Sequence, residues 1–315
     1  MPHVLIAGQI HQCGIDILDA APRISFDHVQ EISVESFAGK LADADALILR
    51  TQPLSAAMIA TAPRLRIVAR HGVGVDAVDG AALQARGIPL AIVGDVNSTS
   101  VAELAMTFAL TLTKRIKTGE ARLAAGAFSW RNRLLAEDLG GKTLLIIGFG
   151  RIGRKLARMA DAFGMKLLIH DPFIPDPGLP QADDLHAGLA AADVVSLHVP
   201  ATPHPVIGAP ELAAMRQGAV LINTARGSVV DEPALIAALT SGQIAGAGLD
   251  VFATEPPPPD HPFFQMGNVV TAPHIGGLTR QSAERMARVC AENIVNFFAG
   301  TLDPALVVNE VPDVR

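Results

Sequence analysis

The chain has 315 residues, 50% of them hydrophobic and 18% charged, with a formal net charge of −6. That length is enough for two domains with separate cores. The acidic balance and the absence of any Lys/Arg-dominated run argue against a nucleic-acid or anionic-membrane surface, and no apolar run reaches the roughly 18 residues that span a bilayer.

The opening segment, Met1-Pro2-His3-Val4-Leu5-Ile6-Ala7, lacks the basic start and cleavage site of a secretory leader and reads as a buried strand. Further apolar runs at 46–49, 65–69, 90–92, 144–147, 166–170, 194–198, 220–223, 248–251 and 269–271 read as strands. They are apolar on both faces, the pattern of parallel strands covered on each side by helices. Strand and helix alternate, which predicts an α/β protein of two doubly wound parallel sheets, a flavodoxin-like domain and a Rossmann domain. A short internal echo supports two similar sheets. Residues 42–49 resemble 191–197, and 66–72 resemble 221–227. Two longer helices are expected at 100–117 and 279–298, and the tail 302–308 has strand-like content. The expected domains are 1–99 with 286–315, and 100–285.

The two cysteines, Cys13 and Cys290, are far apart and outside any Cys-x-x-Cys spacing. A disulfide framework or thiolate zinc site is not expected, and a reducing, cytoplasmic setting is. No His and carboxylate spacing suggests a metal.

Residues 144–153 read Leu-Leu-Ile-Ile-Gly-Phe-Gly-Arg-Ile-Gly. Gly148, Gly150 and Gly153 form Gly-x-Gly-x-x-Gly between a buried strand and a helix, with Phe149, Arg151 and Ile152 between them. A second strand then ends at Asp171. This is the dinucleotide pattern: a tight turn at Gly148, close approach of a pyrophosphate at Gly150, and helix–strand packing at Gly153. The helix start offers N–H groups to the phosphates. A carboxylate at Asp171 would hold the ribose hydroxyls and repel the extra phosphate of NADP, so NAD is expected.

Arg226, Glu255 and His274 each follow an expected strand of the second domain at its C-terminal end, where doubly wound sheets bind ligands. Together they offer a planar cation for a carboxylate and a carbonyl oxygen, an imidazole proton donor, and a carboxylate. Reduction of a 2-keto acid by hydride needs that set.

With these motifs the chain resembles the D-isomer-specific 2-hydroxyacid dehydrogenases, the family of phosphoglycerate dehydrogenase and hydroxypyruvate/glyoxylate reductase. The likeness extends to Gly72-Val73-Gly74-Val75-Asp76, to 97–103 and to 300–309. It implies that His274 is the acid/base, that Glu255 raises its pKa, and that Arg226 binds the substrate carboxylate. Val73 and Gly74 would receive that carboxylate through backbone N–H groups. Asp250 and the main chain at Ala225 would hold the nicotinamide carboxamide. Val199, Pro200 and Thr202 would line the adenosine side, and Gly276 and Gly277 would complete the cofactor set. The family often has a second Thr after that Pro; here Pro205 stands in its place.

Arg50, Arg70, His71 and Arg131 bear on the substrate. Arg50 and Arg70 follow expected strands of the first domain, and His71 precedes the Gly72–Gly74 turn. The resemblance implies phosphate-binding arginines at such positions and an arm around Trp130 that reaches across a homodimer. Hydroxypyruvate, glyoxylate and 3-phosphohydroxypyruvate are the candidate substrates. An NADH-sensing corepressor of the same fold, without turnover, is the alternative.

Overall fold

The structure is a computed structural model that describes residues 1–133 and 135–311. The strands are β1 (His3–Ala7), β2 (Ser25–Val29), β3 (Ala46–Leu49), β4 (Ile67–Arg70), β5 (Leu90–Ala91), β6 (Thr143–Ile147), β7 (Lys166–His170), β8 (Val194–Leu197), β9 (Val220–Asn223), β10 (Gly246–Leu249) and β11 (Val269–Thr271). They form two parallel sheets, ordered β2-β1-β3-β4-β5 and β11-β10-β9-β8-β6-β7. The chain divides into two compact units, one of Met1–Asn97 with the chain from Gly277 on, the other of Ser98–Gly276.

In the first unit, side-chain alternation distributes each strand between two cores. Val4 and Ile6 of β1, with Ala46 and Ile48 of β3, face a core completed by Met286, Ala287, Cys290 and Ile294 of the helix Arg280–Ala299. Leu5 and Ala7, with Leu47 and Leu49, face a core completed by Phe37, Leu41, Ile59 and Leu83. Burial on both faces is why these strands read as continuous apolar runs.

The second unit repeats the scheme. Leu144 and Ile146 of β6 pack with Ala102, Ala105 and Phe108 of the helix Ser98–Thr113. Leu145 and Ile147 pack on the other face with Leu189, Leu212 and Leu235. In both sheets the chain forms its second strand on one side of the first, then crosses to build the rest on the other. The internal echo falls on matching places: in chain order β3 and β8 are the third strands of their sheets, β4 and β9 the fourth.

Three local differences from the sequence reading have physical causes. The edge strand β2 pairs only with β1 and is half-buried throughout, so Ser25-Phe26-Asp27-His28-Val29 has no continuous apolar signature. The strand expected at 248–251 starts at Gly246, because the helix Ser98–Thr113 leaves no room for side chains: a Cβ at Gly248 would lie 2.6 Å from that of Phe108. Glycines weaken a strand signal. The helix expected at 100–117 ends at Thr113, and after a left-handed Arg115 a second helix, Ile116–Ala124, follows and buries none of its residues. The tail meets the first sheet in antiparallel fashion, with Ile92 N–H donating to Leu306 and Val308 N–H to Leu90.

The crossing back to the first unit falls after Gly276 rather than at 286, and the earlier one after Asn97. A crossing at 286 would cut the helix Arg280–Ala299, whose buried residues from Ser282 to Ile294 face one side. Residues 312–315 of the expected first-domain tail lie outside the described residues.

Candidate active site

The glycine loop joins β6 to the helix Arg151–Ala162. Gly148 has φ of 91°, and a Cβ there would lie 2.6 Å from the carbonyl oxygen of His198. The loop is thereby seated against the end of β8, with Val199 beside it. A Cβ at Gly153 would lie 2.4 Å from Gly148 O, so the helix packs directly on the turn. Gly150 differs, because a Cβ there would meet no protein atom within 4 Å. Nothing in the protein requires a glycine at that position. It is also the N-cap of the helix and has no side chain to accept the first-turn N–H groups. An open approach to unsatisfied helix N–H groups is what a pyrophosphate requires, so these residues fit a dinucleotide.

Asp171 follows β7. Its carboxylate accepts from Phe149 N–H at 2.8 Å and from Phe173 N–H at 3.0 Å, which ties it to the glycine loop. The Arg154 guanidinium stacks on the Phe149 ring, 4.5 Å from its centroid. His198 is partly buried, Nε2 within 2.9 Å of Ser196 Oγ, and burial lowers its pKa to about 3. Thr202 Oγ1 donates to His204 O at 2.7 Å within its own loop.

The adjacent strands β9, β10 and β11 carry the three candidate catalytic side chains on the segments that follow them. Arg226 donates from one guanidinium nitrogen to Ala225 O at 2.8 Å. Gly227 permits the next crossing: a Cβ there would lie 1.8 Å from Phe252 O. Glu255 lies on the segment beyond that crossing. Its Oε1 accepts from Phe252 N–H at 3.0 Å, and its Oε2 from His274 Nδ1 at 2.7 Å. A carboxylate only accepts, so Nδ1 carries the proton and Nε2 is left to exchange one with a ligand.

The electrostatics follow from those contacts. The Glu255 hydrogen bond holds the His274 pKa above its ordinary value, against burial and the Arg226 charge. Burial pushes the Glu255 carboxyl up, but the bonds from His274 and Phe252 outweigh it and hold it below the usual range. Asp250 fixes the turn that aims His274. It is buried and accepts from Ile275 N–H at 2.8 Å and Gly276 N–H at 2.7 Å, and its own O accepts from His274 N–H. Burial outweighs those bonds and raises the Asp250 carboxyl. An apolar cavity of about 240 Å³, walled by Phe252, Phe264 and Pro273, adjoins the His274–Glu255 pair.

The second unit therefore unites the glycine loop with Asp171, Val199 and the 198–200 turn, and unites Arg226, Glu255, His274, Asp250 and Gly276. Gly277 belongs to the first unit. So do Arg50, Arg70, His71, Val73 and Gly74. There, His71 is buried and neither ring nitrogen has a partner among the described residues. Burial lowers its pKa to about 4, helped by Arg50 and Arg70. Arg70 also donates to His71 O at 3.0 Å. Buried Arg50 Nε is unpartnered too, as is Nε2 of Gln52, which lies against Gly8 beside Arg50. Gln52 is not among the residues expected at the site; its only signal is that it lies two residues past Arg50, in the turn after β3. The N–H groups of Val73 and Gly74 donate to no protein acceptor among the described residues. Arg131 belongs to the second unit and stacks on exposed Phe128. No group of three or more His, Cys, Asp or Glu is arranged to hold a metal among the described residues. None of their helices is long and apolar enough to cross a membrane.

Comparison with known proteins agrees with this geometry. The family model "D-isomer specific 2-hydroxyacid dehydrogenase, NAD binding domain" matches residues 106–276. A glyoxylate reductase of Korarchaeum cryptofilum is 39% identical over 88% of this chain and 86% of its own length. A D-3-phosphoglycerate dehydrogenase of Methanocaldococcus jannaschii is 36% identical over 96% of this chain, which spans 58% of that relative. Among solved structures, a Thermus thermophilus protein superposes with a TM-score of 0.90 at 36% identity, covering 97% of this chain and 99% of its own. A Sinorhizobium meliloti NADPH-dependent glyoxylate/hydroxypyruvate reductase does so with 0.84 at 29% identity, covering 100% and 99%. A nicotinamide-dinucleotide loop and an Arg, Glu and His set on adjacent strand ends are thus joined by relatives that match nearly the whole chain: the protein belongs to the D-isomer-specific 2-hydroxyacid dehydrogenase family.

Proposed function

We propose that the chain reduces a small hydrophilic 2-keto acid to the D-2-hydroxy acid with NADH, and runs the reverse oxidation with NAD. The observation that carries this reading is the 2.7 Å His274–Glu255 bond on the strand ends that also carry Arg226. Protonated His274 donates from Nε2 to the carbonyl oxygen as it gains negative charge, and neutral His274 accepts that proton in oxidation. Glu255 stabilises the imidazolium and fixes the ring. Arg226 binds the substrate carboxylate and polarises the carbonyl. When bound, the nicotinamide supplies or takes the hydride.

For the cofactor, Asp171 supports NAD over NADP through repulsion of a 2′-phosphate. Val199, Pro200 and Thr202 would flank the adenosine. Asp250 and Ala225 would hold the carboxamide, since each Asp250 oxygen keeps lone-pair capacity beyond its one backbone bond.

Within the first unit taken by itself, the N–H groups of Val73 and Gly74 are proposed donors to a carboxylate. The unpartnered buried atoms of Arg50, Gln52 and His71 support a substrate with a further polar group, because buried polar atoms without partners are costly. That favours hydroxypyruvate or 3-phosphohydroxypyruvate over glyoxylate. A homodimer is supported by Ile116, Leu123 and Phe128, which are exposed on the 116–128 segment. Two free cysteines are consistent with the cytoplasm. The NADH-sensing alternative is not favoured, since the relatives carry enzyme names.

Initial rates with NADH against glyoxylate, hydroxypyruvate, pyruvate, phenylpyruvate and 3-phosphohydroxypyruvate test the reading. We expect the highest kcat/KM with one of the polar C3 substrates, and an increased KM for it in Arg226→Gln. NADH binding without turnover of any keto acid would overturn it.

A further inference from the structure

Glu255 is carried on a loop poor in backbone donors: it is followed by four prolines, Pro256 to Pro259, which have no N–H to donate. Inside the loop His261 N–H donates to Pro258 O, and one side chain contacts both of its ends. Glu232, the first residue of the helix Glu232–Ser241, accepts from Ala253 N–H through Oε1 at 2.7 Å. Its Oε2 lies 3.3 Å from His261 Nε2. Ala253 N–H is the donor next along the chain from Phe252 N–H, which holds Glu255 Oε1.

His261 is suited to be the far anchor. Its Nδ1 accepts from Phe263 N–H at 3.4 Å and caps the short helix Pro262–Gln265, which leaves Nε2–H to donate to Glu232. Its ring packs against Phe252, Phe263 and Phe264 at centroid distances of 6.0, 4.7 and 5.9 Å. The side chains of His261 and Glu232 are only 11% and 15% exposed, so water competes weakly for the bond.

We propose that Glu232 and His261 form a brace that positions Glu255 against His274, making both positioning residues for the reaction. The inference rests on the acid role of His274 proposed above. The charged groups facing His274 are Glu255, Asp250 and Arg226, and those facing Glu255 are His274, Arg226 and Asp250. Glu232 touches neither directly. With the brace gone, the Glu255 carboxylate spends less time at Nδ1, and the proton affinity of His274 falls toward that of an ordinary histidine.

The test uses Glu232→Gln and His261→Asn in the full chain. Glutamine keeps an acceptor for Ala253 but turns an NH₂ toward His261 Nε2–H. Asparagine keeps an acceptor for Phe263 N–H but is too short to reach Glu232, and it remains informative if the glutamine variant does not fold. The readouts are the titration of His274 in ¹³C-histidine NMR, assigned with His274→Ala, and the pH profile of keto-acid reduction. We expect the His274 titration and the upper limb of the profile to move down together by roughly half a unit to one unit, part of the 1–3 units an adjacent opposite charge supplies. Above the limb, rates fall by about three- to tenfold while NADH affinity holds. A His274 titration unchanged in both variants overturns the brace, even if they are less stable or less active. If the parental limb does not track His274, the acid role fails, and the brace is still judged by the titration.

Discussion

His274 Nδ1 and Glu255 Oε2 lie 2.7 Å apart, although 19 residues separate them along the chain. On the proposed acid role, this bond would set the protonation range of the reaction: reduction would use the protonated imidazole, with activity full below the raised His274 pKa and declining as pH rises through it. Glu255→Gln removes the charge that raises it, and the decline should begin at lower pH. Oxidation, which needs neutral His274, should extend to lower pH in the same variant. Measured kcat/KM profiles in both directions check this; an unmoved limb would count against the pair.

Gly150 and Gly153 should separate stability from cofactor binding. Gly150→Ala adds a methyl where no protein atom lies within 4 Å. Its Tm should match the parent while NADH affinity falls. Gly153→Ala drives a Cβ into Gly148 O and should cost about 1–3 kcal/mol of stability as well. Thermal melts and NADH titrations of the two variants provide the comparison. Equal NADH affinity in Gly150→Ala and parent would remove the pyrophosphate from that position.

Asp171 should set cofactor choice. In Asp171→Ala the repulsion of a 2′-phosphate is gone, and Phe149 N–H loses its acceptor. NADH use should fall and NADPH use hold or rise, narrowing the preference by about tenfold or more, a change of ~1.4 kcal/mol. Specificity constants for both cofactors decide it. A parental preference for NADPH would refute the role.

His71 should make stability pH-dependent. Its folded pKa of about 4 lies below the ordinary 6.5, so between those values the unfolded chain binds a proton that the folded chain does not. The stabilisation is present above 6.5 and is lost as pH falls toward 4, on the order of 3 kcal/mol across that window. His198 contributes in the same direction and remains in the variant, so the difference between parent and His71→Leu isolates His71. Urea unfolding at a series of pH values should show a shallower slope for the variant. Parallel slopes would mean that His71 is charged in the fold or takes up no proton on unfolding.

The strand–glycine–helix–strand unit ending at Asp171 was legible in the sequence, because turn geometry, helix start and strand length are encoded within a few tens of neighbouring residues. The parallel character of both sheets was legible too, since burial on two faces removes the polar alternation. Placing Arg226, Glu255 and His274 at strand ends needed only their order along the chain and the family motifs. The edge strand β2 was not legible: pairing with β1 alone, it keeps a mixed surface that periodicity does not distinguish from a loop. The Glu255–His274 pairing was implied by the family resemblance, but spacing could not reveal that Glu232 contacts both ends of that loop, or that Gln52 Nε2 and the His71 ring nitrogens are buried without a partner among the described residues. Those relations depend on which strand ends become neighbours. Sheet order decides that by burying whole faces against each other, a cooperative choice that no local window of sequence contains.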